Sequence, residues 1–314
     1  MFNSFCWLRI GVYCMAGMLS GSAIGSASVL DSANSLYKKG DYKRALPLYK
    51  KALATGENPA VCQFNVGNSY FQMDSIPQSI IYYRATVRTA PGFFRGYMNL
   101  ATAYYSLDDM GECIAVTRRA LGLEPENENA LMLLAASYRK VRAIPEAITV
   151  FEQILDRFPQ KEEPYIALAE IYRELGDYTE AIGWLARYPE SGKNEAYAFL
   201  LLADMYEHEN NSGKALYYLQ RSLEQDAKNR WLVYRIVSLY KKTGNALVAM
   251  DEAQRGLERF PDYAELALLA GNIAFENDRY YDASRFYTMA KNLGDAGGII
   301  GLENVRTVKE TEVR

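Results

Sequence analysis

Histidine occurs once in the 314 residues, at His208. That scarcity removes most of the side chains that ligate metals or move protons near neutral pH. An excess of one charge is also lacking: 35 Lys and Arg face 38 Asp and Glu, a formal net charge of −3. The overall balance therefore offers no basic footprint for nucleic acid. The chain contains no GxxxxGKS/T phosphate loop, no HExxH, no paired CxxC and no GxSxG elbow. Acid pairs such as Asp108-Asp109 and Glu162-Glu163 fall at expected turns or helix starts, where they favour the helix dipole. His208, in EHENNSG, reads as a dipole partner at a helix end. These absences argue against an enzyme, a metal site and a cofactor.

Cysteine is scarce too, with four residues. Two of them, Cys6 and Cys14, lie in an N-terminal stretch unlike the rest. MFNSFCWLR carries one cation, Arg9, IGVYCMAGMLSGSAIG follows without acid or base, and Gly25-Ser26-Ala27 forms a small–x–small site. This order of charge, apolar core and small residues is that of a secretory signal over residues 1–27. The alternative is an uncleaved membrane anchor, since Ile10 to Leu30 is about 20 residues and could just span a bilayer. The residues before Cys6 and Cys14, NSF and GVY, do not resemble a lipobox. A chain 49% hydrophobic and 23% charged is otherwise an ordinary globular one. Its 25 tyrosines are an unusual abundance.

What the chain has in place of motifs is a period. NVGNSYFQMD (65–74), NLATAYYSLD (99–108), LLAASYRKVR (133–142) and ALAEIYRELG (167–176) start 34 residues apart, without insertion. A mostly small residue recurs at Ala33, Gly67, Ala101, Ala135, Ala169, Ala203, Val237 and Gly271. Three residues later stand Leu36, Tyr70, Tyr104, Tyr138, Tyr172, Tyr206, Tyr240 and Ala274. A second small site runs through Ala45, Ser79, Cys113, Ala147, Ala181, Ala215, Ala249 and Ala283. Pro91, Pro125, Pro159 and Pro261 close several units. The spacing predicts a helix–turn–helix unit. Its turn contains residues such as Gly40, Gly176 or Asp278 suited to a left-handed conformation. Small residues facing one another let helix axes approach to roughly 8–10 Å, with the first helix's tyrosine packed over the contact.

Period and pattern together resemble the tetratricopeptide repeat (TPR). The likeness spans residues 28–295 as eight units. It implies an all-α fold, a right-handed superhelix (α-solenoid) with first helices lining a concave groove. A capping helix is expected over 296–308, through Ile299, Leu302, Val305 and Val308, before a charged tail at 309–314. In the fifth unit Pro189 should cut the second helix short, with a hinge near 188–194. The register places Cys62 and Cys113 at opposite ends of an antiparallel pair, on the order of 15 Å apart, too far for a disulfide.

The resemblance also implies where function lies. First-helix positions facing the groove give Asn34, Tyr37, Phe64, Asn65, Asn68, Phe71, Met98, Asn99 and Tyr105 in the first three units. Asparagine can both donate and accept, which suits the backbone of an extended peptide, and the aromatics would take apolar side chains. The groove is expected to extend toward basic residues including Arg139, Lys140, Arg173, Arg235 and Lys241. A family clamp for peptide C-terminal carboxylates is only partly matched. Asn34, Asn65 and Arg95 fit, but Leu30 and Asn99 stand where cations are needed. The expected function is a non-enzymatic scaffold for a protein or peptide partner, exported to a bacterial periplasm or cell envelope. No nucleic-acid partner is expected, and membrane contact only through an uncleaved N-terminal segment. The other reading is an architectural subunit of an envelope assembly or secretion complex, acting through its convex face or terminal repeats.

Overall fold

A computed structural model describes residues 28–189 and 194–312. The expected signal segment, part of the 188–194 hinge and the last tail residues lie outside it. The described chain divides into two compact units at Pro164 and Tyr165. The first contains α1 (Val29–Lys38), α2 (Tyr42–Ala54), α3 (Pro59–Gln72), α4 (Ile76–Thr89), α5 (Phe94–Ser106), α6 (Met110–Leu123), α7 (Glu128–Lys140) and α8 (Ile144–Arg157). α9 (Glu162–Leu175) begins just before the division. The second unit continues with α10 (Tyr178–Ala186), α11 (Glu195–His208), α12 (Ser212–Gln225), α13 (Arg230–Lys242), α14 (Ala246–Arg259), α15 (Ala264–Glu276), α16 (Tyr280–Asn292) and α17 (Ala296–Glu312). No strand occurs among the described residues. The fold is an all-α solenoid of helix hairpins.

The turn inside each hairpin explains the constancy of the period. Gly40, Asp74, Asp108, Arg142, Gly176, Asn210, Gly244 and Asp278 follow one another every 34 residues, and all have positive φ, between 58° and 81°. One left-handed residue per hairpin reverses the chain, which Gly, Asn and Asp tolerate best. Arg142 is the exception in kind. The next residue often starts the second helix from a side-chain cap. Asp41, Asp109, Asp177 and Asn211 accept from the backbone N–H three residues on, at 3.1–3.3 Å.

Both small-residue rows are interior. Every member of the second row is fully buried, from Ala45 to Ala283, and so is every member of the first. At Gly67 an added Cβ would stand 2.7 Å from the ring of Tyr83, and at Gly271 it would stand 2.5 Å from Tyr287. This corrects the expected packing. The ring over Gly67 comes from the second helix of the hairpin, whereas Tyr70 stacks on Tyr82 at 5.7 Å.

α10 spans 9 residues where most second helices span 13 or 14, and Pro189 follows closely. α17 packs on α15 and α16 with Leu302 and Val305 of the expected face against the core and Val308 half-buried, and Ile299 departs from it. Gly298 and Gly301 lie against the backbone and ring of Tyr287, Val305 is buried, and Ile299 and Ile300 are 47% and 58% exposed. Two glycines allow an approach that branched side chains would block, so the helix turns Ile299 outward. The helix also continues to Glu312, through most of the expected tail. Among the described residues no helix is long and apolar enough to cross a membrane.

Candidate functional site

The asparagines of the first unit form paired bridges. Asn34 Oδ1 accepts from Tyr49 Oη at 2.8 Å and from Asn65 Nδ2 at 3.3 Å. One repeat on, Asn68 Oδ1 accepts from Tyr83 Oη at 2.8 Å and from Asn99 Nδ2 at 2.7 Å. Each set ties the two helices of a hairpin to the first helix of the next. Asn272 and Tyr287 repeat the hairpin bond at 2.9 Å in the second unit. The signal was in the sequence. Wherever the asparagine occupies this first-helix position, tyrosine stands 15 residues later, and other units hold neither.

Several expected groove residues are consequently interior. Asn65, Asn68 and Asn99 are buried, Asn68 to 1% exposure, and Met98 and Phe64 are buried beside them. Phe64 packs edge-on to Phe93 at 5.0 Å and against Tyr83 at 6.0 Å. In α5 every residue from Gly96 to Tyr104 is buried. The face expected to be open here is filled by the protein's own side chains, because hairpins brought close by small residues leave little room between first helices. Two buried polar atoms of α3 stay unsatisfied, Asn68 Nδ2 and Gln63 Oε1.

Other candidates stay accessible. Tyr37, Phe71, Tyr105 and Arg139 occupy one register position in four successive first helices, near the C-terminal ends of α1, α3, α5 and α7, and all are half-buried. Tyr37 packs edge-on to Tyr42 and Tyr49. Lys140 Nζ lies 5.0 Å from the centre of the Tyr105 ring while pairing with Asp108 at 2.6 Å. Burial holds the Tyr105 hydroxyl above its ordinary range, against the opposing pull of Lys140. Leu30 and Asn34 are also half-buried.

The basic residues do not form a free anion site. Lys140 is paired, Arg173 lies 3.8 Å from Asp204, and Lys241 pairs with Glu276 at 2.7 Å. Arg235 is held by Asp204 at 2.6 Å and by Glu207. Glu170, buried, accepts from Tyr197 Oη at 2.6 Å. A cation already neutralised by a protein carboxylate has little left for a ligand's. Cys62 and Cys113 are both free and buried. Cys62 Sγ donates to the Glu57 carbonyl, and Cys113 Sγ lies 3.2 Å from Ser137 Oγ. His208, in the last turn of α11, stacks on Tyr178 at 4.6 Å. No group of three or more His, Cys, Asp or Glu among the described residues is arranged to hold a metal ion.

Comparison with known proteins places this geometry. Profiles described as tetratricopeptide repeat match residues 30–92, 94–127 and 141–205, together just over half of the chain. No curated protein sequence matches it. A crystal structure of MamA protein is similar at 21% identity, covering 54% of this chain and 92% of that one, with a TM-score of 0.50. A structure of Naa15/Naa10 bound to HypK-THB is similar at 16% identity, covering 87% of this chain and 43% of that one, with a TM-score of 0.52. A tetratricopeptide repeat protein from Parabacteroides merdae ATCC 43184 is covered to 98%, with 91% of this chain aligned at 16% identity and a TM-score of 0.43. Hairpin period, left-handed turns and profile matches agree: the chain belongs to the tetratricopeptide repeat family.

Proposed function

We propose that this protein-interaction scaffold takes an extended polypeptide across the row Tyr37, Phe71, Tyr105 and Arg139. The observation that carries the reading is that one register position in four successive first helices presents three aromatics and a cation, all half-exposed. Beneath them the asparagine bridges hold the helices at fixed spacing, so the row meets a partner already ordered, and ordering costs fall. Aromatic side chains dominate the energetics of such contacts. No catalytic group is required. The partner is a protein or peptide, and the segment at 1–27 supports delivery to a cell envelope.

The test is affinity capture of the partner, followed by titration of Phe71→Ala combined with Tyr105→Ala. The expected result is a loss of affinity of at least tenfold with the native circular dichroism spectrum retained. Unchanged affinity overturns the docking row. For location, N-terminal sequencing of the chain from fractionated cells should find a start after Ala27 in the envelope fraction. An intact Met1 in the cytosol would refute it.

The exposed Ile299 and Ile300 on α17 favour a second reading, an architectural role through the terminal repeat. Changing both to Glu would then disrupt assembly and leave partner affinity at the aromatic row intact.

A further inference from the structure

The first three hairpins carry a charge balance that the whole chain conceals. Residues 28–120 hold 11 Lys and Arg against 7 Asp and Glu, whereas residues 121–314 hold 23 against 31. The cations gather on second helices. α2 exposes Lys43, Arg44, Lys50 and Lys51. α4 exposes Arg84 and Arg88, and α6 exposes Arg118 and Arg119. These three helices contain one acid, Glu112, which lies 4.0 Å from Arg84. Arg44 pairs with Asp41, the N-cap of its own helix. Lys43, Lys51, Arg88 and Arg119 have no ion-pair partner among the described residues.

The 34-residue register orders these charges into rows. Positions 50, 84 and 118 are Lys, Arg and Arg, each donating to a tyrosine hydroxyl 20 residues on, at Tyr70, Tyr104 and Tyr138. The same three cations lie within 5.1–5.6 Å of those ring centres. Their stems are thus held along the hairpin junctions while their surroundings stay in solvent. Three residues earlier runs an apolar row, Pro47, Ile81 and Ala115, all exposed and Ile81 to 63%. It shares a helix face with the cations, since residues three and four apart lie together.

Exposed cations flanking an apolar row, with almost no acid, are the composition of a surface that rests on anionic lipid headgroups. The cations meet phosphates, and the apolar row reaches the boundary beneath them. Single-stranded nucleic acid would call for exposed rings to stack bases, and the tyrosines of α2 and α4 are buried or half-buried. We propose that the exposed side of α2, α4 and α6 is a contact surface for an anionic lipid membrane.

The test is sedimentation of the full chain with phosphatidylcholine vesicles, with and without phosphatidylglycerol. Lys43→Glu, Arg88→Glu and Arg119→Glu are combined in one variant. Lys228→Glu, Lys242→Glu and Lys291→Glu, exposed cations of the second unit, make a variant of equal net charge. The surface predicts binding that rises with phosphatidylglycerol and falls with salt. It predicts roughly a fivefold loss of partitioning per cation removed in the first variant and little change in the second. Equal binding to both vesicle types, or equal losses in the two variants, overturns it. So does binding to a DNA duplex or to polyglutamate when phosphatidylglycerol vesicles are not bound. Circular dichroism of the first variant guards against misfolding, and Lys43→Gln with Arg119→Gln supplies a milder substitution with the same expected direction.

Discussion

Asn68 accepts two hydrogen bonds on one oxygen and leaves its Nδ2 without a protein partner. Its importance lies in what depends on it. Asn68→Ala would remove the bonds that the Tyr83 hydroxyl and the Asn99 amide donate to it in the interior, each contributing about 1 kcal/mol or more. Urea denaturation should therefore show a loss of about 2–4 kcal/mol, where a groove-lining asparagine would show almost none. Its neighbour obeys a different constraint. Gly67→Ala pushes a methyl into the Tyr83 ring and should destabilise by about 1–3 kcal/mol. Gly183→Ala, in α10 with open space around the new Cβ, should stabilise by about 0.5–1 kcal/mol. Burial pushes the Cys62 thiol up to about 11 from an ordinary 9.0. The native state then holds this proton more tightly than the unfolded chain does. The corresponding stability is complete below pH 9 and is lost as pH rises toward 11. Native Cys62 should accordingly resist alkylation at pH 8 and react once the chain is unfolded, as mass spectrometry can show.

Elements differ in how far the 34-residue pattern governs them. The hairpin turns follow it throughout, because reversing a chain between two helices needs one left-handed residue at a set place. Arg142 meets that need at a conformational cost, and Arg142→Gly should raise the thermal midpoint, by about 1 kcal/mol of added stability. α10 departs from the pattern where Pro189 and the residues before it deny it a last turn. α17 lies beyond the pattern, and of its expected face Leu302, Val305 and Val308 are covered while Ile299 is exposed. Ile299, Leu302, Val305 and Val308 are three apart, yet Gly298 and Gly301 decide the contact by letting the helix close on Tyr287. Truncation after Asp295 would uncover Tyr287, Leu302's contacts and the Val305 site. A loss of about 3 kcal/mol in the second unit is expected, from two apolar side chains exposed at roughly 1.5 kcal/mol or more each.

At the scale of the whole molecule, each of the two units is a one-dimensional array in which hairpins contact their neighbours. Stability should accordingly be local. In Gly67→Ala, hydrogen exchange should accelerate in α1 to α6 and stay unchanged in α13 to α16. Uniform acceleration across the chain would mean a single cooperative unit instead. The same linearity explains how one protein can carry separate surfaces. The aromatic row belongs to first helices and the basic face to second helices of the same hairpins, so a polypeptide partner and a lipid surface need not compete.

The amino-acid sequence by itself determined the hairpin count, the turn positions, the small-residue rows and the lack of a bridge between Cys62 and Cys113. These depend on local geometry, which a fixed 34-residue spacing records directly. Tertiary structure alone decided which groove positions remain open. Phe64, Asn65, Asn68, Met98 and Asn99 share the periodicity of Tyr37, Phe71 and Tyr105, and periodicity cannot tell them apart. The distinction arises from how closely Ala33, Gly67 and Ala101 let neighbouring helices approach. Where backbones come that near, a first-helix side chain meets the next hairpin before it meets solvent, while Tyr37, Phe71 and Tyr105 near the last turn stay partly open.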